Sequence, residues 1–397
     1  MQQSENSRQK LASLVIFRGL LKDPAVSAFR ELLAGENLPM LERTEKAAEL
    51  SHLLLEAGQS WSGYLLQRAL WDENPYVTGK AAGKEFSASL ETALGAELVI
   101  LEELGSITPE MLGVSLPLGW QTEALDFAAA YSRQLARIGE AGYGIFARHH
   151  MFLLGEEALI PVVHPDSVTL EGLTGYTEER QAVIDNTVAL LEGRPAANVL
   201  LYGDSGTGKS TCVKAVANSL REKGLRLIEL RKDQLGQIPL LIDRLSGNPL
   251  KFILFIDDLS FTGESDHFSS LKAILEGSVS ARTANMVIYA TSNRRHLVRE
   301  TFSQRDGDDV HIRDTLEELG SLSERFGLTI TFLRPDRKLY LEIVERYCIR
   351  HNLVFDEAMA QRAEAYALSR GGRSARTARQ FIENAASRLS ANEEEPV

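Results

Sequence analysis

Gly203-Asp204-Ser205-Gly206-Thr207-Gly208-Lys209-Ser210 is the stretch from which the rest of the chain is read. Its glycines, lysine and serine stand at the spacing of a phosphate-binding loop. Glycines let backbone N–H groups turn inward around phosphates with no side chain in the way. The flanks fit. Val199-Leu200-Leu201-Tyr202 is a short apolar run of the length of a buried strand. From Thr211 to Glu222, Val213, Val216, Ala217 and Leu220 fall on one helical face. A helix that starts at the loop aims about half a positive charge at the same point. In this arrangement Lys209 reaches the outer phosphates of a nucleotide and Ser210 offers its hydroxyl to magnesium. The expected cradle is therefore Asp204, Ser205, Gly206, Thr207, Gly208, Lys209, Ser210 and Thr211, and the expected ligand is ATP or ADP with Mg2+.

About fifty residues further on, Phe252-Ile253-Leu254-Phe255-Ile256 is an apolar run that ends in Asp257-Asp258. A parallel strand beside the first would deliver Asp257 to Ser210 as the second metal-side group, with Asp258 facing the outer phosphate to orient a water. Further apolar segments at 198–202, 225–230, 286–291 and 328–332 alternate with helical patterns. That alternation predicts an α/β core with a five-stranded parallel sheet covered on both faces. Only Leu328-Thr329-Ile330-Thr331-Phe332 alternates as an edge strand does. A helix is expected from Thr177, as N-cap, to Leu191. Three more are expected at 338–351, 356–369 and 374–390, with Gly371-Gly372 breaking the chain before the last. Residues 8 to about 155 read as helical throughout and carry no chemical motif. The expected division is a helical N-terminal domain at 1–155, the α/β core at 156–334, a helical lid at 335–390 and an acidic tail at 391–397.

Bulk composition narrows the function classes. A chain of 397 residues is expected to hold two or three domains, and 44% hydrophobic with 25% charged residues is a globular balance. A formal net charge of -12 argues against tight nonspecific nucleic-acid binding. With 2 cysteines, Cys212 and Cys348, a disulfide framework is excluded and a reducing compartment fits. Neither a membrane span nor a signal peptide is read, so a cytoplasmic location is expected. Cys212 reads as a small buried helix residue, and His149-His150 lacks metal-ligand spacing. Arg294-Arg295-His296 with Arg299 reads as a solvated turn, with phosphate contact the second reading. Asp306-Gly307-Asp308-Asp309, Glu264 and Asp266 lack calcium-loop spacing and read as exposed acids.

Taken together, these motifs resemble the AAA+ ATPase superfamily. Ile288-Tyr289-Ala290-Thr291-Ser292-Asn293 resembles the sensor-1 strand, with Asn293 at the polar position. Leu322-Ser323-Glu324-Arg325-Phe326-Gly327 resembles the arginine-finger segment, with Arg325 as the finger. Ser374-Ala375-Arg376-Thr377-Ala378-Arg379 resembles sensor 2, with Arg376 as the sensor and Arg373 as its rival. Leu173-Thr174-Gly175-Tyr176 resembles the adenine-pocket segment, which puts Gly175 and Tyr176 beside the base. More narrowly, residues 140 to 390 resemble a bacterial AAA+ family described only as a domain of unknown function. One departure is the second aspartate, where many AAA+ ATPases carry glutamate. Replicative initiators and helicase loaders also show Asp-Asp. The resemblance implies hydrolysis of ATP to ADP and phosphate, coupled to assembly or remodelling of an unidentified protein partner. It also implies a homo-oligomer in which Arg325 acts in trans. The alternative is a slow nucleotide-gated switch or binding module, including a nucleic-acid or helicase-loader-like factor.

Overall fold

Short apolar runs set the architecture of the core. In the computed structural model, β1 (Met151–Leu154), β2 (Leu159–Pro161), β3 (Val199–Gly203), β4 (Leu225–Leu230), β5 (Lys251–Ile256), β6 (Met286–Asn293) and β7 (Leu328–Phe332) form one sheet, in the order β2-β1-β4-β5-β6-β3-β7. The structure describes residues 2–35, 38–259, 271–275, 284–293 and 324–393. Every pairing is parallel except β1 with β2. β5 is buried after its first residue, as a central strand covered on both faces must be. β7 alternates, with Ile330 and Phe332 inward and Thr329 and Thr331 outward, and it ends the sheet. The order places β3 between β6 and β7, although each of them follows β3 in sequence. The loop leaving β3 therefore opens at the carboxyl ends of the strands, where open α/β sheets bind ligands.

The five expected strands are β3 to β7, and the sheet contains two more. β1 falls where the sequence reads as helical. Met151-Phe152-Leu153-Leu154 is too short to show a period, and its partner β4 decides its conformation through the register Met151↔Leu227. A second correction concerns the helix Thr177–Leu191. Its N-cap is Tyr176, left-handed at φ 52° and without a side-chain cap, rather than Thr177. The helix after the phosphate loop runs Lys209–Leu220, beginning at the lysine itself. The C-terminal helices are Arg337–Arg350, Glu357–Ser369 and Ala375–Glu393. Asp336 and Asp356 cap the first two through Leu339 N and Met359 N. These three helices, the lid, close on a small core that includes Tyr340, Val344, Ala363 and Ile382.

The chain divides into two compact units. One comprises residues 1–148 with 247–249, and the other residues 149–246 with 250–397. The first unit is helical, around Phe29, Trp61 and Phe127. Trp61 is fully buried and donates its indole N–H to Leu104 O at 2.9 Å. Glu97 accepts from the backbone N–H groups of Val15, Ile16 and Phe17, which satisfies a turn that would otherwise bury orphan donors. Residues 294–299, 306–309, Glu264, Asp266, Leu322, Ser323 and the tail end 394–397 lie outside the described residues.

Candidate functional site

The site begins where β3 runs out of side chains. Gly203 sits at φ 142°, and a Cβ there would meet Phe332 O at 2.0 Å, so only glycine fits beside β7. Asp204 N donates to Phe332 O at 3.2 Å, and the Asp204 carboxylate accepts from Arg334 N at 3.1 Å. Gly206, at φ 78°, lies under the start of the last lid helix, and Arg376 N donates to its carbonyl at 3.2 Å. The loop is thus held between the end of β7 and the lid. Lys209 closes it, donating to Gly203 O at 3.0 Å, Asp204 O at 2.7 Å and Asn293 Oδ1 at 3.0 Å. All three of its protons are used. Burial pushes the Lys209 ammonium down to about 8, against the opposing pull of Asp204, Asp257 and Asp258.

The carboxylates arrive on β5, which is separated from β3 by β6 and does not lie beside it as expected. Asp257 Oδ1 accepts from Ser210 Oγ and from Thr291 Oγ1, each at 2.6 Å. Asp258 takes a left-handed conformation at φ 52°. Its N–H is held by Thr291 Oγ1 at 2.8 Å, and its Oδ1 accepts from Asn293 Nδ2 at 2.8 Å. Asn293 therefore bridges Lys209 and Asp258. Ser210 and Asp257 supply a hydroxyl and a hard carboxylate oxygen side by side. Asp257 Oδ2 receives no protein donor among the described residues. That donor set fits magnesium, which takes oxygen ligands and retains water.

A cavity of about 830 Å³ gathers these groups. Its floor includes Ser205 to Cys212, Asp257, Asp258, Thr291 and Asn293, and its lid side includes Ile343, Tyr347 and Arg376. Gly175 and Tyr176 line it as well. The Tyr176 hydroxyl donates to Leu333 O at 2.7 Å, and its ring lies 5.2 Å from Phe332. Arg376 reaches the wall, whereas Arg373 is absent from it and makes a two-pronged pair with Glu364, both distances 2.9 Å. Asp204 and Arg325 are not on the wall; Arg325 is half-buried, just before β7. Cys212 is buried and its thiol is pushed up to about 12, which leaves it inert as a nucleophile at neutral pH.

Sequence reasoning assigned no role to Thr291, nor to Arg346, Arg350 and Arg379 on the lid side of the cavity. The signal for Thr291 was a hydroxyl two residues before Asn293 on a strand next to β5. Arg379 stood inside the sensor-2-like segment, whereas Arg346 and Arg350 gave none, because a helical arginine reads as solvated until its neighbours are known.

Known proteins resemble parts of this chain in sequence. An "AAA ATPase forming ring-shaped complexes" from Corynebacterium jeikeium (strain K411) is 25% identical over 279 residues, covering 60% of this chain and 49% of that protein. A "26S proteasome regulatory subunit 4 homolog" from Oryza sativa subsp. japonica is 40% identical over 75 residues, covering 18% of this chain and 17% of its own. The chain thus spans about half of the first relative and less of the second. Among solved structures, the Thermotoga maritima RuvB Holliday junction branch migration motor matches at TM-score 0.38 and 18% identity, over 57% of this chain and 66% of that one. AMPPCP-bound DnaA from Aquifex aeolicus matches at TM-score 0.37 and 19% identity, over 54% and 63%. The family described as "Protein of unknown function (DUF815)" matches residues 147–389. With more than half of its length matched and the phosphate loop, paired aspartates and lid gathered at one cavity, the chain belongs to this DUF815 family and has the core of an AAA+ P-loop ATPase.

Proposed function

We propose that this protein binds ATP with magnesium, hydrolyses it to ADP and phosphate, and uses the cycle to assemble with or remodel a protein partner. The observation that carries the reading is the bridge Lys209–Asn293–Asp258, 3.0 and 2.8 Å long, at the mouth of the glycine loop. It ties the cation that holds phosphate to the carboxylate that orients water. Ser205 to Thr211 supply the cradle of N–H groups. Magnesium bound at Ser210 and Asp257 would neutralise phosphate charge. Asp258 and Asn293 would hold the attacking water. Arg376 would report the outer phosphate from the lid, and Gly175 and Tyr176 would border the base.

Arg325 is assigned to a neighbouring copy. Its absence from the cavity of its own chain supports that reading. So does the ring-forming description of one relative. A finger supplied across subunits stabilises transition-state charge by about 10³-fold or more. It requires head-to-tail contacts between copies. The net charge of -12 weighs against a nucleic-acid substrate held by phosphate contacts alone.

A second reading, a slow nucleotide-gated switch, is favoured by Asp258. Its side chain is one carbon shorter than glutamate and is bound by Asn293. Steady-state ATP hydrolysis against protein concentration, with light scattering on the same samples, separates the two. A specific rate that rises with assembly supports the motor. A flat, very low rate with ATP bound supports the switch, and no ATP binding at all overturns both.

A further inference from the structure

We propose that Thr291 is the positioning residue that fixes both strand-end carboxylates, an inference that rests on the ATPase reading. Thr291 is 2% exposed, near the end of β6. Its hydroxyl has one proton, and that proton goes to Asp257 Oδ1 at 2.6 Å. Its oxygen accepts from Asp258 N at 2.8 Å. Its own carbonyl accepts from Leu259 N at 2.7 Å. One residue therefore grips three consecutive positions, 257 to 259, at the point where β5 turns away from the sheet.

The turn needs that grip. Asp258 is not a glycine, yet it stands at φ 52°, where a Cβ is strained. Such a conformation persists only when its surroundings over-determine it. Three side chains do so here, Thr291 and Asp257 on the N–H and Asn293 on the carboxylate. Asp257 N-terminal to it is equally constrained. Its Oδ1 accepts from Ser210, Thr291 and Asp258 N, the last at 3.1 Å. Two hydroxyl protons on one lobe leave the other lobe for water or a metal's water shell. Thr291 thus orients the carboxylate from behind, in the manner of a partner that fixes a metal ligand. A threonine that only filled a gap in the sheet would need its methyl group and not its hydroxyl.

The experiment compares the full-length chain with Thr291→Val, which keeps shape and removes the hydroxyl, with Thr291→Ala, and with Thr291→Ser. The readouts are steady-state turnover, the magnesium concentration for half-maximal turnover, the affinity of a fluorescent ATP analogue in EDTA and in magnesium, and the melting temperature. Thr291→Val and Thr291→Ala should lose turnover by about 10- to 100-fold and need more magnesium. Their affinity for the analogue in EDTA should stay within about twofold of wild type, and Thr291→Ser should recover most of the turnover. Should Thr291→Val not fold, Thr291→Ala and Thr291→Ser carry the comparison. Wild-type turnover that both Thr291→Val and Thr291→Ala retain overturns this inference alone. A parallel loss of turnover and EDTA affinity, or failure of Thr291→Ser to recover turnover, also overturns it. Wild type that binds no nucleotide overturns the ATPase reading and this inference together.

Discussion

Lys209 and Asn293 meet at 3.0 Å, Nζ on Oδ1, and this contact joins the phosphate loop to the end of β6. The amide's other end donates to Asp258 at 2.8 Å, so its orientation is fixed by a cation on one side and a carboxylate on the other. Asn293→Ala breaks both links and leaves the cradle of N–H groups intact. Turnover should fall by about 10-fold or more, while the affinity for ATP changes little. Steady-state kinetics paired with equilibrium nucleotide binding checks this. An unchanged turnover number would remove Asn293 from the mechanism.

The same lysine predicts a pH dependence. Burial holds Lys209 down to about 8, so its charged form prevails below that pH and is lost as the pH rises through it. Phosphate binds the charged form. Affinity for ATP should be level near pH 7 and fall above pH 8, approaching about tenfold per pH unit. Lys209→Arg should flatten the profile, and Lys209→Ala should lose binding at every pH. Stability without ligand runs the other way. Between about 8 and the unfolded value near 10.5 the unfolded chain binds more protons at this site, so this group's contribution to stability rises with pH. Calorimetric titration with ATP from pH 7 to 9.5 reads the first effect, and a melting series over the same range reads the second.

Gly203 tests the backbone of the loop without touching its chemistry. A methyl group there would meet the Phe332 carbonyl at 2.0 Å, backbone against backbone, with φ at 142°. Nothing flexible can yield. Gly203→Ala should cost about 3 kcal/mol or more, a large share of a domain's stability. Gly208→Ala offers the contrast: φ is 96° but no atom lies within 4 Å of the added carbon. Its cost should be limited to the strained conformation, about 1–2 kcal/mol. Thermal unfolding of the two variants should rank them in that order, and equal melting temperatures would count against the β3–β7 register.

These positions also mark how far the sequence can be read. The loop, β3 to β7 and the lid helices were legible because each has a local signature: glycine spacing, apolar runs of strand length, or helical stretches broken by glycine. β1 was not, since four apolar residues adopt whatever their neighbour dictates, and β4 lies more than seventy residues later in the chain. The left-handed turn at Tyr176 was missed for a related reason. Thr177 has the composition of a cap, but the Tyr176 hydroxyl on Leu333 O and its ring near Phe332 set the backbone instead. The sequence could not show that Glu364, on the helix Glu357–Ser369, pairs with Arg373, while Arg376 lines the cavity. Arg376→Ala should therefore lower turnover and narrow the preference for ATP over ADP. Arg373→Ala should cost no more than about 1 kcal/mol of stability, the scale of a partly exposed ion pair, and leave that preference intact. Competition between ATP and ADP, measured for each variant, reads the difference.

Arg325 gives the most direct test of assembly. It stands half-buried before β7 and does not line the cavity of its own chain. If it completes the site of a neighbour, Arg325→Ala should bind ATP normally and lose turnover by about 1000-fold or more. That loss alone would not separate a neighbour's site from a distant effect within one chain. Mixing does. Lys209→Ala chains cannot hold nucleotide but carry an intact Arg325, while Arg325→Ala chains hold nucleotide and lack the finger. Each preparation should be nearly inactive by itself, and the mixture should regain turnover, because a Lys209→Ala neighbour supplies the missing guanidinium to an Arg325→Ala site. The recovered rate should rise with total concentration and peak near equal proportions, as expected for contacts between unlike copies. A mixture as inactive as its parts, at concentrations where light scattering reports assembly, would place the action of Arg325 within its own chain.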